Sequence, residues 1–234
     1  CKVVAYLFFF RYKAIFIPFA FLAMAVFHVP LLFNRKIFFY KLLGSGKNGS
    51  FSKKPDLRQW AIFITWKDET GNYLPVFIEK WLKFFKCEIL HIELVPVGSK
   101  GKWDGKALFD KLENQWVENV PIAILTRATI RISRLREFWQ NVKPVSAELD
   151  KAKGLLLSVG IGEMPFIKQA TFSIWETMDD MKAFAYTQEE HAAVIQKTRK
   201  RNWYSEEMFT RFKIISCKVK KKKKNPLMHN KLPL

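Results

Sequence analysis

Cysteine is scarce in this chain, and the little there is cannot be paired into a framework. Cys1, Cys87 and Cys217 are odd in number, widely separated and without a C-x-x-C. Neither a disulfide scaffold nor a zinc site of the usual spacing is indicated, and a reducing compartment fits best. Acidic residues are also few, 21 Asp and Glu against 40 Lys and Arg, for a formal net charge of +19. No H-E-x-x-H, G-x-S-x-G or Walker sequence occurs, which removes the common metallohydrolase, serine hydrolase and NTPase readings. Two G-x-G runs are present, but neither is followed by a third glycine or by a helical pattern, so a dinucleotide site is not supported. What is abundant is apolar surface: 49 % of the 234 residues are hydrophobic, enough for one large domain or two small ones with a substantial core. The start at Cys1 reads as processing or trimming.

The basic excess has two parts. Residues 218–234 hold seven lysines (Lys218, Lys220 to Lys224, Lys231) and no acid, and such like-charge blocks are expected to be disordered. The remainder is basic as well, which favours anionic membrane surfaces, nucleic acid or plain solubility. Residues 14–33 carry no formal charge and are flanked by Arg11, Lys13, Arg35 and Lys36. The length suits a membrane span. Yet Pro18 belongs in a helix's first turn and Pro30 ends it, leaving about 12 helical residues, or about 18 Å against a hydrocarbon core of about 30 Å. A helix buried between sheet and partner is the first expectation, an interfacial helix the second and a true span the third.

One pattern occurs twice, a G-x-G followed by a strand reading A-x-F-x-x-W. The first copy is Gly44-Ser45-Gly46 with Ala61, Phe63 and Trp66; the second is Gly160-Ile161-Gly162 with Ala170, Phe172 and Trp175. Each G-x-G sits between strand-like runs, 37–43 with 60–66 and 155–159 with 170–175, which reads as a hairpin turn. A strand and a helix precede each hairpin (3–12 and 18–29; 122–131 and 134–142). A helix and a closing strand follow (75–85 and 89–97; 178–186 and 212–217). Both halves therefore read βαββαβ, the split βαβ or ferredoxin-like unit. The expected fold is α+β, a tandem ferredoxin-like chain whose sheets pack on each other as in dimeric α+β barrels. Its parts would be an amino-terminal half at 1–117, a carboxy-terminal half at 118–217 and the basic tail, with a greasy chamber enclosed between the sheets.

Residues 124–212 are dense in side chains the bare fold does not require. They read L-T-R-A-T-I-R (Leu125 to Arg131), R-E-F-W (Arg136 to Trp139), G-I-G-E (Gly160 to Glu163), Q-A-T-F-S-I-W (Gln169 to Trp175) and A-F-A-Y (Ala183 to Tyr186). His191, Thr198-Arg199 and W-Y-S-E-E-M-F-T-R-F (Trp203 to Phe212) follow. This ordered set resembles the spheroidene monooxygenase family of carotenoid biosynthesis, and K-L-L-G-S-G (Lys41 to Gly46) with A-I-F-I-T-W (Ala61 to Trp66) resembles that family's amino-terminal half. The resemblance implies an oxygenase that introduces a keto group near the end of an acyclic carotenoid by successive hydroxylations and loss of water, in a family regarded as haem-containing. Ile132, where proline is expected after T-I-R, and the lysine-rich tail mark a divergent member whose substrate need not be spheroidene.

Under that resemblance His191 is the candidate axial ligand of haem b iron. Thr187-x-x-Glu190 is a capping box that places it near the start of a helix. The residues alone favour a solvated surface histidine. His28 reads as structural, His91 as a strand residue facing solvent beside Glu93, and His229 lies in the tail. Arg127 and Arg131 differ by four, so on one strand they share a face and either clamp haem propionates, polarise oxygen or pair with Glu137 or Glu163. Trp203 and Tyr204 suit the wall of a polyene pocket, with Trp66 and Trp175, or plain core. Glu206 and Glu207 after Ser205 read as a capped helix start. The chain would be a cytoplasmic enzyme with a peripheral contact at the inner face of a membrane, taking O2, an apolar isoprenoid and electrons from a separate ferredoxin or reductase. The alternative is a non-catalytic haem- or RNA-binding α+β module. Basic-Gly-aromatic-Gly-aromatic is missing from the relevant strands, which counts against RNA.

Overall fold

The computed structural model describes residues 4–51, 53–66, 74–109, 120–149, 151–187, 198 and 200–220. Eight strands close into one antiparallel barrel: β1 (Val4–Arg11), β2 (Ile37–Gly46), β3 (Pro55–Trp66), β4 (Glu88–Gly101), β5 (Ile122–Ile130), β6 (Leu155–Met164), β7 (Lys168–Trp175) and β8 (Tyr204–Lys220). Their order around the barrel is β1-β3-β2-β6-β7-β5-β8-β4. The α-helices among the described residues are α1 (Ile17–Val26), α2 (His28–Leu32), α3 (Val76–Phe84), α4 (Leu135–Leu149) and α5 (Met178–Thr187). The first four strands lie fourth-first-third-second across their part of the barrel, and the last four repeat that order. Registers match too: Val4 faces Trp66 across β1 and β3, and Ile122 faces Trp175 across β5 and β7.

Alternation along each strand decides what goes where. Inward positions such as Leu7, Phe9, Phe63, Leu125, Phe172 and Phe212 form one core drawn from both halves. Outward positions of the first half, Tyr6, Phe8, Phe10, Ile62 and Ile64, pack beneath α1, α2 and α3. The barrel interior is thus filled with side chains, and the chamber expected between the sheets is absent among the described residues: eight tilted strands leave room for little more than their own inward side chains. The same closure shuts away the open sheet face on which RNA-recognition domains stack bases.

Three further expectations are corrected. The G-x-G runs are not turns. They lie in paired strands, and β2 and β6 meet through only Gly44↔Gly162 and Ser45↔Ile161. Residues 204–211 are strand, not a capped helix start, because pairing with β5 continues from Met208 to Glu206 and Tyr204; β8 also extends to Lys220, into the expected tail. The apolar helix is broken at Phe27 into α1 and α2 and is largely exposed, not buried: Ala20, Ala23, Phe27 and Leu31 are buried against the barrel and Phe16 and Met24 partly so. Residues 221–234 lie outside the described residues.

A Cβ on Gly160 would lie 2.6 Å from Phe51 Cα and 2.8 Å from the Ser50 carbonyl oxygen, both main-chain atoms, whereas one on Gly44 meets nothing closer than 3.8 Å. Gly160→Ala is therefore expected to cost about 1–3 kcal/mol in urea unfolding, and Gly44→Ala no more than about 0.5 kcal/mol. Equal effects would refute the close-approach argument.

Candidate active site

The matched registers allow the two outer faces to be compared position by position. Where the first half carries Phe8, Phe10, Ile62 and Ile64, the second carries Thr126, Ala128, Thr171 and Ser173. Four bulky side chains give way to four small ones. The space they would fill is a cleft of about 240 Å³ between the barrel wall and the helices α4 and α5. Thr126, Ala128, Thr171 and Ser173 make its floor, Phe138 and Val142 of α4 and Met181 and Phe184 of α5 its cover, and Trp175, Trp203 and Phe209 its aromatic walls. The periodicity of α4 and α5 turns these apolar residues toward the sheet.

Polar groups in the cleft divide into spent and available. Gln169 donates to the Met164 carbonyl at 3.0 Å and Asn141 to the Glu137 carbonyl at 2.7 Å. Ser173 Oγ accepts from Trp175 Nε1 at 3.0 Å, which leaves its own proton free to be donated into the cleft. Tyr204 hydrogen-bonds Thr198, and burial pushes its phenol up to about 12, so it stays a neutral hydroxyl at physiological pH.

Arg127 lies on the other side of β5. Inward-facing and 1 % exposed, its guanidinium pairs with Glu206 and approaches Asp104 at 3.4 Å and Glu163 at 3.8 Å. The turn after β4 builds this cluster. Trp103, fully buried against Phe39 and Phe63, donates to Glu163 at 2.7 Å and lies under the guanidinium at 5.8 Å. Backbone N–H groups of Asp104 and Gly105 donate to Glu206 at 3.0 and 2.6 Å. Lys41 bonds Asp104 and Glu163, and Lys168 bonds Asp104 at 3.0 Å. Burial opposes the charge of Asp104, but hydrogen bonds from Lys41 and Lys168 outweigh it and hold the carboxyl below its usual range. Burial likewise opposes Glu206, and the Gly105 N–H and Arg127 outweigh it. Lys41 is raised because its two carboxylate partners outweigh its own desolvation.

The expected pairing of Arg127 with Arg131 on one face does not occur. β5 stops at Ile130, and Arg131 begins a tight turn with an exposed side chain and its N–H bonded to the Trp203 carbonyl at 2.8 Å. Arg127 therefore does not touch the cleft, while Arg131 stands beside its Trp203 wall. Trp203, Tyr204 and Trp175 line the cleft; Trp66 belongs to the first half's outer core. His191 lies outside the described residues. His28 bonds the Tyr40 hydroxyl at 2.9 Å, and His91 is half-buried, stacked on Phe8 at 4.5 Å rather than facing solvent. Sequence reasoning missed Glu206, read as a helix-start acid, and the floor residues, whose small size at positions matching Phe8, Phe10, Ile62 and Ile64 was visible in the repeat.

No protein-family model matches the chain. Spheroidene monooxygenase of Rhodobacter capsulatus is 34 % identical over 207 residues, covering 85 % of this chain and 84 % of that protein. The enzyme of the same name from Cereibacter sphaeroides is 34 % identical over 194 residues, covering 81 % of this chain and 59 % of its own length. This chain belongs to the spheroidene monooxygenase family. Membership places it among the monooxygenases, which are oxidoreductases. Among solved structures, an aldoxime dehydratase in complex with butyraldoxime matches with a TM-score of 0.60 over 91 % of this chain and 79 % of that one, at 9 % identity, a likeness of fold alone. Segments that carry the family resemblance converge on the cleft. Q-A-T-F-S-I-W supplies Thr171, Ser173 and Trp175, R-E-F-W supplies Phe138, and W-Y supplies Trp203 and Tyr204.

Arg127→Ala takes the paired guanidinium from half-buried Glu206 while Asp104 keeps Lys41 and Lys168, and is expected to cost about 3 kcal/mol in urea unfolding at neutral pH. Because Asp104 and Glu206 titrate below the ordinary carboxylate range, their contribution is full above that range and is lost as pH falls through their lowered values. Lys41, raised, gives up its share only in strong base. The gap between wild type and Arg127→Ala should accordingly shrink in acid; a gap independent of pH would contradict the cluster's role.

Proposed function

We propose that this chain is a haem-dependent monooxygenase that introduces a keto group into an acyclic carotenoid or a similar long isoprenoid, with haem b seated in the cleft under α4 and α5. The observation that carries the reading is the floor of Thr126, Ala128, Thr171 and Ser173, where the equivalent face of the first half is filled. At about 240 Å³ the described part of the cleft is just below the roughly 300 Å³ at which small-molecule pockets begin, and residues 188–197, which are not counted in it, join two elements that border it. α5 ends at Thr187, and Thr198 bonds Trp203 and Tyr204. In sequence His191 falls between Thr187 and Thr198. Among the described residues no group of three or more metal-ligating side chains occurs. Haem suits such a site, because the porphyrin supplies four ligands and the protein need add one imidazole.

His191 would hold the iron, and Arg131 at the rim would meet a propionate, a role that Arg127, turned into the barrel, is not placed to fill. Bound haem supplies the redox iron that activates dioxygen. The chain's own residues do the rest. Phe138, Val142, Met181 and Phe184 exclude water and accept an apolar chain, the flat rings of Trp175 and Trp203 suit a polyene, and the Ser173 hydroxyl donates a hydrogen bond at the floor. Each hydroxylation takes one O2, two electrons and two protons and releases water; two at one carbon give a geminal diol that loses water to the ketone. With no dinucleotide motif in the sequence, the electrons are supplied by a ferredoxin or reductase. The matched strand orders support reading 1–117 and 118–217 as two copies of one ferredoxin-like unit, of which the second took on the chemistry.

Expressed with haem available, the protein should show a Soret band and change the pigments of a carotenoid-producing host. His191→Ala should abolish or shift the band, and Thr126→Phe with Ser173→Ile, which restore the first half's bulk, should prevent haem uptake while the fold persists by circular dichroism. An unchanged band in both variants would overturn the assignment.

A further inference from the structure

The stretch from Ala14 to Leu32 has a mean hydropathy of 2.3 and is long and apolar enough by composition to cross a membrane, yet only 22 % of it is buried. Ala20, Ala23, Phe27 and Leu31 recur every three or four residues and form one stripe against the first half's outer face. The two alanines let the helix backbone come close. On the opposite side stand Phe19, Leu22, Val29 and Phe33, the last 82 % exposed. A helix packed on a barrel ordinarily turns charged residues outward; this one turns out phenylalanine, leucine and valine. The patch continues onto α3, since Phe85 touches Phe19 at 4.9 Å and Phe84 at 5.0 Å, and Phe84 is 78 % exposed.

Cations ring it. Lys13, Arg35 and Lys36 at the ends of the segment and Lys83 and Lys86 beside Phe84 are all exposed, and Glu79 is the only acid in α3. Both flanks are anchored: β1 runs to Arg11, which pairs with Asp56 at 2.8 Å, and β2 starts at Ile37. Standing the segment upright would strip Ala20, Ala23, Phe27 and Leu31 from the barrel, so it lies flat. A second copy on this face would bring two cationic rims together, whereas anionic headgroups neutralise them.

We propose that this face docks the protein on an anionic lipid bilayer, with α1 and α2 in the headgroup plane and Phe19, Leu22, Val29 and Phe33 among the acyl chains. The inference stands apart from the haem reading, because the cleft lies on the other half of the barrel.

Flotation of the full chain with vesicles of phosphatidylcholine, alone or with about 30 % phosphatidylglycerol, tests it. Binding is expected on the anionic vesicles and weakly on the neutral ones. Phe19→Ser with Leu22→Ser and Phe33→Ser should weaken it by about tenfold or more, and Lys13→Glu with Arg35→Glu and Lys36→Glu should remove the preference for anionic lipid, while removal of residues 221–234 leaves most of the binding. Should the triple serine variant misfold by circular dichroism, Phe33→Ser alone replaces it and should show a smaller loss in the same direction. Three results would overturn the proposal: undiminished binding by the serine variants, binding that vanishes with residues 221–234 alone, or no vesicle binding together with a dimer that the serine variants dissociate. Haem absorbance of the serine variants should equal that of the wild type, so a failure here leaves the haem assignment to its own test.

Discussion

Closure of eight strands into one barrel is the constraint on which the rest of this structure depends. β4 and β8 pair along twelve residue positions, from Ile89↔Lys220 to Gly101↔Met208, and tie the halves on one side, while β2 and β6 touch through two pairs at glycine on the other. Once closed, the inward faces share one interior, and large apolar side chains from both halves pack together there. Trp103 and the Arg127 cluster finish one end, where a buried guanidinium is tolerated because three carboxylates surround it. Among the described residues the open space lies outside the barrel, in the layer between its wall and the helices α4 and α5.

The outward layer is where the halves part company. At equivalent register positions one has aromatic and branched side chains and the other has hydroxyls and a methyl group. The first half spends its outer face on packing against α1, α2 and α3, and the second leaves a slot under α4 and α5. One half thus holds the barrel's flank together while the other gives up packing for the cleft. The apolar helix of the first half buries a stripe of Ala20, Ala23, Phe27 and Leu31 against the barrel and turns Phe19, Leu22, Val29 and Phe33 outward.

The site was legible where it depended on composition and order, and illegible where it depended on direction. Trp203, Tyr204 and Trp175 were marked by the resemblance and do border the cleft. Arg127 was marked as well, but a strand presents alternate residues to opposite faces, and which face looks into a barrel is set by the partner strands, not by the local sequence. Arg131 shares its parity but not its face, since the strand ends one residue before it. Glu206 reads locally as a helix-start acid because Ser-Glu-Glu satisfies a capping preference; pairing of β8 with β5 and β4 outweighs that preference. The glycines read as turn formers because a turn is their commonest use, whereas they lie inside paired strands, and Gly160 answers a close approach of the main chain at Ser50 and Phe51.

The amino-acid sequence by itself determined the family, the order of strands and helices in each half, the repeat and the uncharged run at 14–33, because all of these are written in residue identity and short-range periodicity. Only the tertiary structure decided that the interior is full, that the open space lies on the outer face of the second half, that Arg127 is locked among carboxylates and that the apolar helix faces outward. Each of those outcomes turns on which strands become neighbours, and burial is a property of neighbours that no local stretch of chain contains.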